Sequence, residues 1–182
     1  MPAPRYVALL RGINVGGNKQ VPMKALAALF AEAGCEDVTT WINSGNVIFR
    51  AEPALAARIP ELIEAALLAT RKLKVPVIVR SAAQLKKIAK SHPLTTPDAE
   101  LRMLHVGFLG KKPTAAQAAS LDPQRSPADV FTVVGSELYV RYSVNGLAKS
   151  KLTNQYIDSR LGTVSTMRNW NTVLKLVELT SD

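Results

Sequence analysis

The residues best suited to chemistry begin with a glycine-rich segment near the N-terminus, Arg11–Lys19, which reads RGINVGGNK. Glycine permits positive φ angles and lets the backbone approach a ligand closely. A loop of this kind that runs into a helix can aim backbone N–H groups and the positive end of the helix dipole at an anion. The segment matches neither the P-loop nor the dinucleotide-binding pattern of glycines. Its candidate ligand-binding residues are Arg11, Asn14, Gly16, Gly17, Asn18 and Lys19.

Asparagine is distributed unevenly: its eight positions are 14, 18, 43, 46, 145, 154, 169 and 171, and none lies between 47 and 144. Its side chain both donates and accepts hydrogen bonds, so it suits tight turns and also the recognition of polar ligands. Asparagine is a poor former of helix interiors, and helix capping accounts for one of the later positions, Asn169. The remainder favours binding, and the further candidates are Asn43, Asn46, Asn154, Asn169 and Asn171.

Basic side chains near the C-terminus complete the candidate set with Lys149, Arg168 and Lys175. Helical spacing predicts that Arg168, Asn171 and Lys175 share one face of the last helix. Lys149 lies on a polar edge at the start of the helix before it. One such row is typical of any solvated helix face, but two neighbouring rows that are poor in acids favour a binding site.

The net charge of +9 is concentrated in the same two parts of the chain. Residues 1–31 carry four basic side chains and no acidic one, whereas residues 138–177 carry six basic side chains and one acidic one, Asp158. The basic and acidic side chains of the other residues balance. If the two ends of the chain meet, they form a positive field that attracts anions. An ordinary basic protein with uneven charge is the alternative.

Several classes of function lack the residues they need. The single cysteine, Cys35, allows no internal disulfide and suits a reducing cytoplasm. The two histidines, His92 and His105, are not spaced as metal ligands, so we expect no metal and no cofactor. No apolar run approaches the roughly 20 residues of a membrane helix, so no membrane association is expected.

Three functions remain open. The first is binding of an anionic ligand, either nucleic acid or a phosphorylated molecule. The second is an enzyme acting on a small anionic substrate, with Arg11, Lys19 and Arg168 as electrophilic groups. The third is a protein-interaction module that uses a sheet edge or a basic face. Because the two motifs contain no general base apart from Asp158, the sequence favours binding over catalysis.

The elements that carry these residues follow a repeated order. Hydrophobic periodicity predicts β-α-β-β-α-β over residues 1–80, the ferredoxin-like arrangement, with Pro60 inside the second helix as a point of breakage. The order recurs over residues 81–182 after a linking helix, with prolines and hairpin turns offset by 91 residues. We therefore predict an α+β fold of two tandem ferredoxin-like units. Extra C-terminal helices are expected over about Ser150–Leu161 and Asn169–Leu179.

Comparison of the two predicted units shows one difference. In the second unit the first strand reaches its helix through Gly110–Lys112, whereas Gly12–Val21 intervenes in the first. The longer loop is not needed to close the chain, and long loops between packed elements often carry function. The glycine-rich segment is therefore a candidate site, and a tight turn with solvated basic residues is the alternative.

Three motifs carry a resemblance to a known family: LLRGINVGG, INSGNV and RNWNT, which begin at Leu9, Ile42 and Arg168. The chain resembles, essentially from end to end, a bacterial family described as a domain of unknown function. The resemblance implies two ferredoxin-like units and supports the choice of motifs. It implies no catalytic residues.

Overall fold

The structure is a computed structural model that describes residues 2–17, 19–144 and 146–181. Contacts divide the chain into two units. Unit 1 comprises residues 1–87 and 176–182, and unit 2 comprises residues 88–175. Two of the eight asparagines, the candidate residue Asn18 and Asn145, lie outside the described residues.

Unit 1 contains a four-stranded antiparallel sheet in the order β2-β3-β1-β4. Helices α1 and α2 pack against it and enclose a core that includes Phe30 and Phe49, whose ring centroids are 5.4 Å apart. The elements are β1 (Arg5–Leu10), α1 (Met23–Glu32), β2 (Glu36–Trp41), β3 (Asn46–Arg50), α2 (Pro53–Arg71), β4 (Val77–Ser81) and α3 (Ala82–Ile88).

Local sequence explains where the helices of unit 1 begin and end. Pro22 precedes α1 with a φ of −58°, which suits the entry to a helix. Helix α2 starts with Pro53 and ends at Arg71, and the next residue, Lys72, adopts the left-handed conformation common after a helix. The expected break at Pro60 is wrong, because α2 is continuous through it. Burial of Ile59 and Ile63 on the core side offsets the hydrogen bond that the proline removes.

Unit 2 repeats this arrangement, with a four-stranded antiparallel sheet in the order β6-β7-β5-β8. Its core lies between this sheet and α5 and contains Leu138, Val140 and Tyr142. The elements are β5 (Leu104–Leu109), α4 (Ala115–Ala119), β6 (Val130–Val134), β7 (Glu137–Arg141), α5 (Asn154–Leu161) and β8 (Ser165–Asn169), with short 3₁₀ helices at Leu101–Met103 and Leu147–Lys149. The last helix, α6 (Trp170–Thr180), begins in unit 2, and its residues from Leu176 onward belong to unit 1.

The C-terminal region corrects the expectation of two extra helices. Between α5 and α6 the chain forms β8, which pairs antiparallel with β5. Helix α5 therefore follows the hairpin of unit 2 as α2 follows the hairpin of unit 1, and only α6 comes after the last strand. The sequence of β8, STMRN, contains one apolar residue, so it has no alternation that predicts a strand. Pairing with β5 stabilises it instead.

Candidate functional site

The glycine loop, of which the structure describes residues 11–17 and 19, lies at one end of the sheet of unit 1. It begins where β1 ends, and the antiparallel register places Leu9 opposite Asn46 and Leu10 opposite Val77. The β2–β3 turn and the segment that precedes β4 therefore lie at the same end. The backbone N–H of Arg11 donates to the carbonyl of Pro76 at 3.0 Å. Three connections that are distant in sequence thus meet beside the glycine loop.

Asn14 holds the glycine loop in place. Its Nδ2 donates to the carbonyl oxygens of Val21 at 2.9 Å and of Asn43 at 3.0 Å, and its Oδ1 accepts from the N–H of Val21 at 2.8 Å. Its backbone N–H donates to the carbonyl of Lys19 at 3.2 Å, and its φ is 56°. The side-chain amide is therefore engaged by the backbone of the protein, and it fixes the loop to the β2–β3 turn.

Close packing under the loop requires glycine at position 45. The N–H of Leu10 donates to the carbonyl of Gly45 at 2.8 Å, and the buried side chain of Ile13 lies against the same residue. A Cβ atom on Gly45 would be 2.9 Å from the Cβ of Leu10 and 3.0 Å from two side-chain atoms of Ile13. With a φ of +81°, Gly45 lets the turn lie directly beneath the loop.

The outer part of the glycine loop is open. Gly16 and Gly17 are exposed, have φ of +59° and +78°, and have nothing within 4 Å of the place where a Cβ would stand. Among the described residues, neither glycine donates a backbone hydrogen bond to another. The two glycines are thus an exposed part of a loop whose ends are fixed.

Basic groups flank this open part. The exposed side chain of Lys19 donates from Nζ to the carbonyl of Lys74 at 2.9 Å, and Lys74 is itself exposed. Arg11, at the other end of the loop, is half-buried. The contact between Lys19 and Lys74 spans 55 residues, and no motif in the sequence pointed to Lys74.

Lys74 is also one of the residues that line an apolar groove. The groove has a volume of about 610 Å³, and its lining includes the exposed side chain of Leu68 together with two carboxylates, Glu61 and Glu64. Oε1 of Glu64 accepts the N–H of Val77 at 2.8 Å. The groove is therefore apolar with acidic groups along it, beside a basic loop.

The two turn asparagines differ in accessibility. Asn46 is fully buried, and its Nδ2 donates to the carbonyl of Trp41 and the hydroxyl of Ser44, each at 3.1 Å. Asn43 is exposed at the turn, where its backbone carbonyl accepts from Asn14. Asn46 thus shapes the turn from within, whereas the side chain of Asn43 is on the surface.

The C-terminal candidates all lie in unit 2. Lys149 is exposed at the end of a 3₁₀ helix. Asn154 is the first residue of α5, and the hydroxyl of Thr153 caps this helix by accepting the N–H of Tyr156 at 3.2 Å. Lys175 is half-buried on α6. The predicted residues thus form one group in unit 1 and another in unit 2.

Arg168 is a buried residue of β8. It is 7% exposed, and its Nη1 donates to Oγ1 of Thr166 at 2.8 Å and to the carbonyl of Met167 at 2.9 Å. Burial lowers the pKa of its guanidinium to about 10. Register gives it a counterpart in unit 1, because Arg168 lies opposite Val106 as Arg80 lies opposite Val7. Arg168 occupies a strand of the sheet, whereas helical spacing had placed it on α6.

Asn169 and Asn171 belong to the junction between β8 and α6. Nδ2 of Asn169 donates to the carbonyl of Arg102 at 3.0 Å, and its Oδ1 accepts the N–H of Asn171 at 3.0 Å. Asn169 therefore connects β8 to the segment before β5 and caps the first turn of α6, as its residue type suggested. The side chain of Asn171 is exposed.

The histidines of unit 2 are held by packing. His92 is 3% exposed and meets the rings of Tyr139 and Trp170 edge-on at 5.1 and 5.0 Å. Its Nδ1 accepts the N–H of Leu94, so Nε2 carries the proton and donates to the carbonyl of His105 at 2.9 Å. Burial lowers the pKa of both histidines. These contacts suit a neutral structural imidazole.

In the described part of the chain, no three His, Cys, Asp or Glu side chains group closely enough to hold a metal ion. Within those same residues, no helix is both long enough and apolar enough to cross a bilayer.

Comparison with known proteins assigns the chain to a family. Residues 3–139 match the family described as "Protein of unknown function (DUF1697)". The chain belongs to the DUF1697 family. This DUF1697 chain is similar in fold to a solved structure described as conserved bacterial protein SP0830 from Streptococcus pneumoniae. The two share 23% sequence identity and a TM-score of 0.70, over 98% of this chain and 99% of that one. No curated protein matches the chain.

Proposed function

We propose that the glycine loop of unit 1 binds the phosphate group of an anionic ligand. The observation that carries the proposal is the exposed pair Gly16 and Gly17, which lies on a loop that Asn14 already holds in place. A preorganised loop loses little conformational entropy when a ligand binds, and backbone N–H groups are strong donors to phosphate oxygens.

The electrostatic field supports the same ligand class. Lys19 and Lys74 are exposed beside the loop, Arg11 adds a third positive charge, and residues 1–31 contain no acid. A local excess of positive charge attracts anions and is screened by salt. Binding should therefore weaken as ionic strength rises.

The apolar groove favours a phosphorylated small molecule over nucleic acid. Lys74 lines the groove, and its backbone carbonyl accepts the hydrogen bond from Nζ of Lys19, so the groove and the loop are adjacent. A volume of about 610 Å³ is in the range of ligand sites. Glu61 and Glu64 would repel a polyanion that continued along the groove. The ligand we propose carries a phosphate at the loop and an apolar body in the groove.

The other predicted residues receive roles within this proposal. Asn14, Asn43 and Asn46 position the loop and the turn, whereas Lys149 and Asn154 belong to unit 2 and have no part in the site proposed in unit 1. Arg168 and Asn169 stabilise unit 2.

We also propose that each unit is ferredoxin-like, which the sheet orders β2-β3-β1-β4 and β6-β7-β5-β8 support. We propose in addition that the chain acts in the cytoplasm.

The test is a binding measurement with matched lysine variants. Titration calorimetry would compare a phosphorylated amphiphile, such as an alkyl phosphate, with a single-stranded oligonucleotide at low and high salt. We expect Lys19→Ala to weaken binding of the alkyl phosphate about tenfold, the usual scale for loss of one charged contact. The control is Lys112→Ala, which removes an exposed lysine from the corresponding link of unit 2.

Two outcomes would count against the proposal. The first is that the alkyl phosphate does not bind, and the second is that Lys19→Ala and Lys112→Ala weaken it equally. If the oligonucleotide binds tightly and Lys149→Ala weakens it while Leu68→Asp in the groove does not, the ligand is nucleic acid instead.

A further inference from the structure

Strand β6 forms an unprotected edge of the sheet of unit 2. It is the first strand in the order β6-β7-β5-β8, and its sequence, VFTVV, contains no charge and no proline. The side chains of Val130 and Val134 are 41% and 51% exposed. An apolar edge strand presents free backbone N–H and C=O groups to any strand that fits it.

The corresponding edge of unit 1 is built differently. Strand β2 begins with two acids, Glu36 and Asp37, and its register with β3 shifts between Glu36 and Thr39. Asp37 has a φ of 47°, and its carboxylate accepts from Nε of Arg50 at 3.1 Å. Charges and a bulge are the devices by which proteins prevent edge pairing. Strand β6 contains neither device.

The sequence of β6 is self-complementary about its central residue. In an antiparallel pair of two β6 strands centred on Thr132, each Val130 lies opposite the Val134 of the other copy, and each Phe131 lies opposite a Val133. Side chains alternate between the faces of a strand, so Val130, Thr132 and Val134 share one face. The two most exposed side chains of the strand would thus cover each other across the two-fold axis.

Charges at the margins agree with this register. Within unit 2, Val130 lies opposite Arg141 of β7, and Val134 lies opposite Glu137. In the proposed pair, each row of neighbouring residues across the strands therefore consists of Arg141 and Val130 of one copy, followed by Val134 and Glu137 of the other. Unlike charges lie at the two ends of each row, and no like charges face each other at the centre.

We propose that β6 pairs antiparallel with β6 of a second copy of this chain, so that the two sheets of unit 2 become one eight-stranded sheet. The inference is independent of the glycine loop. Backbone hydrogen bonds supply the pairing, and the valine pairs supply its register. The contact is short, so the dimer forms reversibly at micromolar or higher concentrations.

The first test is sedimentation velocity over a wide range of protein concentration. We expect a reversible monomer–dimer equilibrium for the native chain, and a dissociation constant at least about tenfold larger for Val134→Lys, which replaces one valine of each facing pair by the charged residue that proteins use against edge pairing. The control is Thr39→Lys, which adds the same charge to an exposed position of β2. Circular dichroism and thermal melting would verify that both variants are folded.

The second test is cross-linking at the two-fold axis. Residues directly opposite each other in an antiparallel pair have Cα atoms about 4.5–5.5 Å apart, which a disulfide can span. Thr132→Cys should therefore form a disulfide-linked dimer under mild oxidation, whereas Thr39→Cys on β2 should not. The native Cys35 is buried and its pKa is raised to about 11, so it does not interfere.

The proposal is overturned if the native chain stays monomeric at every concentration and Thr132→Cys cross-links no faster than Thr39→Cys. A dimer that Val134→Lys and Thr39→Lys leave equally intact also overturns it, because another surface then holds the two copies together.

Discussion

The side-chain amide of Asn14 donates a hydrogen bond to the backbone carbonyl of Asn43 at 3.0 Å, across 29 residues of sequence. This contact joins the glycine loop to the β2–β3 turn, and the same side chain makes two hydrogen bonds to Val21. The conformation of the glycine loop therefore depends on a side chain at its base rather than on the glycines alone.

Replacing Asn14 by alanine should destabilise unit 1 by about 2–3 kcal/mol, since it removes three hydrogen bonds to backbone groups. Alanine also tolerates a φ of 56° poorly. Asn14→Gly loses the same hydrogen bonds without the backbone strain, so it should be the milder change. Urea unfolding of the three proteins measures both effects. Equal stability of all three would contradict the role assigned to this side chain.

Replacing Gly45 by alanine should cost more than replacing Gly16. At Gly45 the new Cβ would clash with Leu10 and Ile13, whereas at Gly16 the space is open and only the positive φ is strained. We expect a loss of about 1 kcal/mol for Gly16→Ala and at least about 2 kcal/mol for Gly45→Ala. Thermal melting would rank them. A Gly16→Ala change as costly as Gly45→Ala would show that the open space has been misjudged.

Replacing Arg168 should affect stability rather than binding. Arg168→Ala removes a buried side chain that contacts Thr166 and Met167, so we expect a loss of about 2 kcal/mol. Arg168→Met fills the same space without a buried charge and should be milder. Phosphate affinity should equal that of the native chain for both variants while they remain folded. A specific loss of affinity in the folded Arg168→Met protein would instead place this residue at the ligand.

Acidification should weaken the folded state through His92. Its pKa is lowered by burial below the ordinary 6.5, so between 6.5 and the lowered value the unfolded chain takes up a proton that the folded chain does not. The free energy of unfolding therefore falls as pH drops through that window and levels off below it, with a slope of at most about 1.4 kcal/mol per pH unit. Unfolding curves at several pH values would measure it.

His92→Gln supplies the control for that dependence. Glutamine keeps hydrogen-bonding capacity but does not titrate, so the slope below pH 6.5 should decrease. His105, whose pKa is also lowered mainly by burial, accounts for part of what remains. An unchanged slope in His92→Gln would mean that other groups carry the dependence.

Local sequence alone determined the features that depend on near neighbours. Pro22 and the apolar residues that follow it indicate α1 from the sequence alone, and the apolar run Val130–Val134 coincides with strand β6. The charge distribution and the glycine loop can also be identified from the sequence, because they depend on residue types and on turn chemistry. These features need no knowledge of what packs against them.

Tertiary structure decided the features that depend on distant partners. Strand β8 exists because β5 lies beside it, and its own residues show no strand period. Burial of Arg168 and Asn46 turned two candidate ligand contacts into structural groups. The partners of Asn14 and Lys19 lie 29 and 55 residues away. Hydrogen bonding and burial of this kind depend on which segments the fold brings together, and a linear pattern does not encode that proximity.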